Sequence, residues 1–423
     1  MNSIQFPQAI TSLVDQDQYK FTEAYYRWQY HRDAVISYEL INRTKGERLA
    51  EIFTKEALIE QLNSVRELRF TEPELAFLQG TGMFTKTGRA FIEELRSFQF
   101  SEFEVEVRDG QFVVRSTDIF AETIVLSIVN HLRTHSLMRK HGIKLRDILN
   151  EAVRVLHTKI PDLLKLPKGS VLEFGTRRRA LAEVQALLFE IVFEETNGVI
   201  DASSNTGIAM RTGRPNPGTH PHAGYLLEQG IAYPQGDDAI YQSMMKFVDN
   251  WSALMLYPSL VWLTDQYGHE AFLEQWTKTR AENSRGYRWD SGPWKEWTDQ
   301  VIQVNRKLEI NLTDRYQGKD LVYSDGLDTK TMLEIYEYAS PHVRSILFGW
   351  GTNLTNDLGV YAQRYGMKPI SIVMKPTHVN GYPVVKLSAN PAKVTGGSKV
   401  DQERIAHIFR YNRVKHKTVQ PLV

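Results

Sequence analysis

VLEFGTRRR, residues 171–179, is an apolar run that stops abruptly at a glycine, a hydroxyl and three arginines. A buried strand running into a polar turn reads this way. The same pattern recurs in VIDASSNTG (199–207), NPGTHPH (216–222), VWLTDQYG (261–268), YRWDSG (287–292), LVYSDGLD (321–328) and ILFGWGTN (346–353). All but NPGTHPH, which is led by Pro and Gly, start from a short apolar run. Each precedes a plausible helix, which is the βα signature. In a β/α barrel the C-terminal strand ends carry the active site. Here nearly every such end offers groups that bind phosphate or a hydroxyl. A purely structural barrel has no need of them, so the pattern predicts an enzyme.

The flanks read differently. KEALIEQLNSVREL (55–68) is an amphipathic helix, and Thr71 with Glu74 forms a capping box that opens another. FEVEVR-DG-QFVVRS (103–116) and ISIVMKPTHV-NG-YPVVKLS (370–388) are hairpins, turning at Asp-Gly and Asn-Gly. A long apolar-periodic helix is expected from Glu122 to Leu137, and the basic run 407–417 reads as a solvated terminal helix. The fold class is therefore α/β: an irregular TIM-like β/α barrel over residues 141–369. It packs on an α+β domain built from residues 1–140 and 370–423.

Composition narrows the function. Lys and Arg total 51 against 50 Asp and Glu, which argues against a nucleic-acid-wrapping surface. There is no cysteine, so there is no disulfide, thiolate nucleophile or Cys-held zinc. The N-terminus lacks a signal-peptide pattern and no run is long enough to span a membrane, which predicts a cytoplasmic protein without a membrane partner.

Several strand ends carry candidate chemistry. Three arginines at 177–179 oppose the dipole of the helix they would open, which suggests that they serve a ligand. Gly349-Trp350-Gly351-Thr352-Asn353 lies near the end of the βα series, where barrels often cradle phosphate on backbone N–H groups. Arg288, Asp290, Ser291 and Gly292 form R-W-D-S-G; its aspartate, like Asp325, could orient ribose hydroxyls or meet Mg2+ through water. Asp328 reads as a helix cap, and Asp265 reads equally as cap or ligand. His220 and His222 flank a proline. Metal binding there is not expected, because H-x-H is short of ligands and no acidic cluster is nearby in sequence. A nucleophilic or acid–base histidine among phosphate-binding loops is the sharper reading.

Together these residues resemble the nicotinate phosphoribosyltransferase family, in its bacterial type II form. The resemblance rests on LVDQDQYKFT (13–22), EFGTRRR (173–179), SSNTGIA (203–209), GTHPH (218–222), RWDSG (288–292), LVYSDGLD (321–328), FGWGTNLTND (348–357) and PVVKLS (383–388), in family order. It implies that nicotinate and phosphoribosyl pyrophosphate give nicotinate mononucleotide and pyrophosphate, in NAD salvage. ATP is implied as co-substrate through a phosphorylated histidine, with Mg2+ carried on substrate phosphates and Asp290 as its candidate protein contact. The family histidine ends G-T-x-x-H, so His222 is the implied phosphoryl acceptor and His220 a local variation. Tyr19 resembles the tyrosine that stacks on nicotinate, often across a dimer interface; Arg177, Thr219 and Arg288 fall on the nicotinate side. Gly351 and Thr352 match the 5′-phosphate cradle, with Ser291, Gly292 and Asp325 beside the phosphoribosyl substrate and Asp290 near the ribose and pyrophosphate. A homodimer with shared sites is implied. Ala223 and Pro293 depart from the family pattern, which often has an acidic or hydroxyl residue after the histidine and D-S-G-D. Nicotinamide phosphoribosyltransferase is the nearest rival, quinolinate phosphoribosyltransferase a weaker one, and a catalytically decayed nucleotide-binding module another.

Overall fold

The computed structural model describes residues 6–411 apart from Lys45 and Lys86. Strands β1 (Ile36–Asn42), β2 (Glu104–Arg108) and β3 (Gln111–Ser116) come early in the chain. Six short strands follow: β4 (Val171–Glu173), β5 (Ile200–Ser203), β6 (Val261–Leu263), β7 (Gly286–Trp289), β8 (Asp320–Tyr323) and β9 (Ser345–Trp350). The last two are β10 (Ile372–Val379) and β11 (Tyr382–Pro383).

The first three strands and the last two form one antiparallel sheet, ordered β11-β10-β1-β3-β2. Both expected hairpins are present. Asp109 and Gly110 have φ of 49° and 75°, and Asn380 and Gly381 have φ of 51° and 81°. A two-residue hairpin turn needs that left-handed pair to match strand twist, and Asn, Asp and Gly tolerate it best. The Thr71–Glu74 capping box is also formed. The long helix runs Ala121–His141, one turn further than its apolar period suggested, and stops at left-handed Gly142. Helix Lys399–Ile408 includes the start of the basic run 407–417; residues 412–417 lie outside the described residues.

The middle strands form a parallel sheet, ordered β5-β4-β9-β8-β7-β6. Parallel pairing brings all their C-terminal ends to one side. No ladder joins β5 to β6, and NPGTHPH, expected as a strand ending, is not a strand among the described residues. Its prolines at 217 and 221 cannot donate to a ladder. The segment fills the gap by other means. Pro215 O accepts from Ser203 N at 3.3 Å, and Asn216 Nδ2 donates to the carbonyls of Ser203 and Ser204. On the far side His220 Nε2 accepts from Leu263 N at 3.1 Å. This makes the barrel irregular at the very segment that carries both histidines.

Helix His222–Ala232 leaves this segment and is wedged between two neighbours. A Cβ on Gly224 would lie 2.3 Å from the Phe247 ring, and one on Gly230 would lie 2.4 Å from Val379 Cβ. Glycine is required at both places by close approach. Gly230→Ala is expected to lower stability by about 1–3 kcal/mol through overpacking, read as a lower urea midpoint with an unchanged m-value.

Candidate active site

The C-terminal ends of β6 and β7 place Asp265 and Asp290 against His222, the first residue of its helix. His222 Nε2 lies 3.3 Å from Asp265 Oδ1 and 3.3 Å from Asp290 Oδ2. Lys386 Nζ lies 2.8 Å from the same nitrogen and 3.3 Å from Asp265 Oδ2. An ammonium only donates, so Nε2 accepts from it. The ring proton then sits on Nδ1 and is donated to Gln266 Oε1 at 3.1 Å. The imidazole is thus held as the tautomer whose Nε2 lone pair is available.

Electrostatics agree with this arrangement. Burial, followed by the Lys386 charge, pushes the His222 pKa below its ordinary value, so the ring is neutral at pH 7. Burial also lowers Lys386, to about 8, against the opposing pull of Asp265 and Asp290. Burial opposes ionisation of Asp265, but the Lys386 charge outweighs it and holds the carboxyl below the carboxylate range. For Asp290 the same opposition is overcome by the Arg288 charge.

Local sequence had suggested no acidic cluster near the histidines. The fold corrects this, because the carboxylates arrive from other strand ends, and ligand atoms of His222, Asp265 and Asp290 lie within 4.8 Å of one another. These donors do not suit a resident divalent ion while Lys386 remains, since its ammonium already fills the cation position between Asp265 and the ring.

Around this centre, Arg288 donates to Thr219 Oγ1 at 2.8 Å and to Ser324 Oγ at 2.8 Å, and reaches Asp290 Oδ1 at 3.3 Å. Its guanidinium lies 5.6 Å from the Phe174 ring centroid. Ser291 Oγ donates to Asp265 Oδ2 at 2.5 Å and is buried, while Gly292 takes φ of 82° beside Ala389. Asp325 pairs with Lys393 at 2.6 Å, and Lys393 Nζ also donates to Asp290 O. Gly351 follows β9; a Cβ there would sit 3.0 Å from Phe174 O, and Thr352 begins the short helical turn that comes next.

A second group lies where helix Gln18–Tyr30 meets the site. Tyr19 Oη donates to Glu122 Oε2 at 3.1 Å, and Arg177 of the same chain lies 5.2 Å from the Tyr19 ring centroid. Arg177 pairs with Asp17 at 3.2 Å and Glu122 at 3.3 Å. Burial disfavours its charge, but the Tyr19 hydroxyl, Glu122 and Asp17 outweigh that and raise its pKa. Lys375 Nζ also lies 3.3 Å from Glu122. Not all three arginines face this space: Arg179 is committed to Asp15 and Gln185 in the interior.

The sequence model described as the nicotinate phosphoribosyltransferase (NAPRTase) family matches residues 170–413, and that of its N-terminal domain matches residues 14–130. The chain belongs to the nicotinate phosphoribosyltransferase family. A crystal structure of nicotinate phosphoribosyltransferase from Vibrio cholerae is similar over 97% of this chain and 96% of its own, with 26% identity and a TM-score of 0.85. One from Porphyromonas gingivalis shares the fold over 94% of this chain and 99% of its own, with 22% identity and a TM-score of 0.79.

As a nicotinate phosphoribosyltransferase-family site, this one contains residues that strand-end reading passed over. Lys386, Gln266, Lys393, Glu122 and Lys375 had no assigned role. One signal was available: Lys386 interrupts the apolar run VVKL, and a charge at a core position usually has a partner. The Ala223 departure also acquires a context, because Gln266 rather than the next residue in the chain orients the imidazole. Pro293 stands at the N-cap of helix Trp294–Lys307, and its carbonyl accepts from Trp297 N.

His220 is fully buried among Tyr225, Phe247, Trp251 and Trp262. Replacing it with Phe keeps the ring but leaves the Leu263 N–H without its acceptor. His220→Phe should therefore cost about 1–3 kcal/mol in denaturant unfolding, with the His222 chemistry retained.

Proposed function

We propose that this protein transfers the phosphoribosyl group of phosphoribosyl pyrophosphate to nicotinate, in the salvage branch of NAD synthesis. The C1–O bond to pyrophosphate breaks and a C1–N bond to the pyridine nitrogen forms. Nicotinate mononucleotide and pyrophosphate are the products. The proposal includes coupled ATP hydrolysis through His222, a homodimer with shared sites, and a cytoplasmic location. Among the described residues no helix is long and apolar enough to cross a membrane.

The observation that carries the coupling is the Lys386–His222–Gln266 chain. It presents a neutral imidazole with Nε2 as nucleophile, attended by a cation. In the proposed step Nε2 attacks the γ-phosphorus of ATP, and the bond to the ADP oxygen breaks. Lys386 transfers its hydrogen bond from Nε2 to the phosphoryl oxygens, where it offsets the new charge. Water later cleaves the P–N bond and restores the ring. Asp290, beside Arg288 and His222, offers carboxylate density toward the cationic C1 that develops as pyrophosphate departs. Arg288 donates to two neutral hydroxyls and pairs with one carboxylate, Asp290, at 3.3 Å, and its guanidinium is the cation proposed to meet a pyridine carboxylate. That favours nicotinate over nicotinamide. Tyr19 and Arg177 complete the nicotinate side of the proposed pocket. Ser291, Gly292, Asp325, Gly351 and Thr352 are the proposed surroundings of the phosphoribosyl substrate. Mg2+ is proposed to accompany the diphosphate oxygens, because Lys386 occupies the position among His222, Asp265 and Asp290, the one such ligand group among the described residues.

Purified protein given phosphoribosyl pyrophosphate, Mg2+ and nicotinate should form mononucleotide, and ATP should stimulate it. Chromatography of the products, with nicotinamide in a parallel reaction, checks this; product from nicotinamide alone would move the protein to the rival activity. His222→Ala should cut ATP-stimulated turnover by roughly 10²-fold while leaving slow ATP-independent transfer.

Lys386, with its pKa lowered to about 8, is charged below that pH and neutral above it. Phosphoprotein formed from γ-labelled ATP should therefore decline as pH rises through about 8. Lys386→Arg, whose side chain stays charged across this range, should move the decline to higher pH. An unmoved decline would remove Lys386 from the phosphoryl step.

A further inference from the structure

Glu228 lies on the same helix as His222, outside the site, and is fully buried. Its Oε1 accepts from Tyr26 Oη at 2.6 Å and contacts His31 Nε2 at 2.5 Å. Its Oε2 lies 3.2 Å from Lys246 Nζ. Burial opposes ionisation here, yet the His31 hydrogen bond and charge outweigh it and hold the carboxyl below its ordinary range. Tyr26 belongs to helix Gln18–Tyr30, and His31 is its C-terminal cap residue. A carboxylate on one helix thus grips the far end of the other.

A second tie joins the near ends. Gly218, just before the His222 helix, approaches Gln18 and Tyr19 so closely that a Cβ there would overlap Gln18 Oε1 and lie 3.2 Å from Tyr19 N. Between the two ties, Phe247 packs edge-on against Tyr26 and against Gly224. At a rise of about 1.5 Å per residue, the seven residues from Tyr19 to Tyr26 span about 10 Å, and on the other side Gly218, four residues ahead of the His222 helix, stands ten residues before Glu228. One tie alone would act as a hinge. Two ties that far apart resist both sliding and tilting.

We infer that the helices bearing Tyr19 and His222 move as one body, with Glu228 as the positioning residue that fastens them. This rests on the reading that His222 and Tyr19 serve the two half-reactions. It adds the route: a shift of His222 on phosphorylation is delivered to Tyr19, and nicotinate bound at Tyr19 is felt at His222. Linkage makes such coupling reciprocal. Glu228 touches no substrate, and its role is mechanical.

Hydrogen–deuterium exchange on the full chain tests it. In the unaltered protein, nicotinate alone should slow amide exchange in residues 18–30 and 222–232 together. In Glu228→Ala, nicotinate should slow exchange in 18–30 only. Kinetics supply a readout that a merely stabilising residue would not move. The variant should still form phosphoprotein from ATP, but the ratio of KM for nicotinate with and without ATP should approach about 1, meaning no coupling free energy. A joint exchange response in the variant, or a response confined to one helix in the unaltered protein, overturns the inference. If Glu228→Ala does not fold, Tyr26→Phe combined with His31→Gln weakens the same tie from the other side, with the same expectations. An unaltered protein that ignores ATP defeats the coupled-hydrolysis reading, whereas a joint response to nicotinate alone still supports the tie.

Discussion

One buried ammonium organises the catalytic end of this molecule. Without Lys386, Asp265 would face Asp290 and the imidazole with no ammonium beside it, while Arg288 stands at Asp290. Buried carboxylates in that position either take up protons or force the structure open. With Lys386 present they stay ionised, the histidine stays neutral, and its lone pair has a fixed direction. The remaining geometry serves to place that ammonium. Lys386 pairs through its backbone with Thr395, and both Leu387 N and Ser388 N donate to Gln266 O. Gln229, on the His222 helix, holds the neighbouring residue Val385 through both its N–H and its carbonyl. The ammonium, the imidazole and the residue that orients the imidazole are therefore held by one set of hydrogen bonds to backbone.

The second charged group follows the same rule with other residues. Arg177, Lys375 and Lys20 converge on Glu122, which comes from the start of the long helix. Asp17 and Glu23 balance them. Charges of both signs are arrayed around a buried tyrosine ring, and none of these cations is left to neutralise itself. Such networks are costly to desolvate and give geometric specificity rather than bulk stability. That suits the proposed role of this group in receiving a small anion in one orientation.

Much of this was legible in the sequence, for identifiable reasons. The hairpins were visible because Asp109-Gly110 and Asn380-Gly381 state their turn type locally. The parallel strands were visible because both faces are buried, which leaves runs such as VWL and LVY. Family membership was legible from ordered motifs. The segment NPGTHPH misled, since its position in the βα series suggested a strand ending while its prolines forbade a ladder. The pairings of Asp265, Lys386 and Glu122 were hidden for a different cause. Each residue gains meaning only from a partner that is distant in sequence, and no local pattern records a contact between residues 265 and 386. His220 and His222 look alike in the chain, and only the surroundings separate an aromatic-packed acceptor from an ion-paired one.

The antiparallel sheet joins the two ends of the chain, since β1 pairs with β10 along its whole length. During synthesis β1 emerges early and must wait for β10, with the parallel sheet made in between. Lys386 follows β10 by only a few residues. The carboxylates and the imidazole can therefore approach one another while their cation is still inside the ribosome. A nascent chain in that interval holds Asp265 without its ammonium, and the segment bearing Lys386 is the one that permits the site to close. Such an order delays the mature centre until β10 and the residues just after it have been made, and it leaves the waiting edge of β1 as the place where a folding helper would have most to protect.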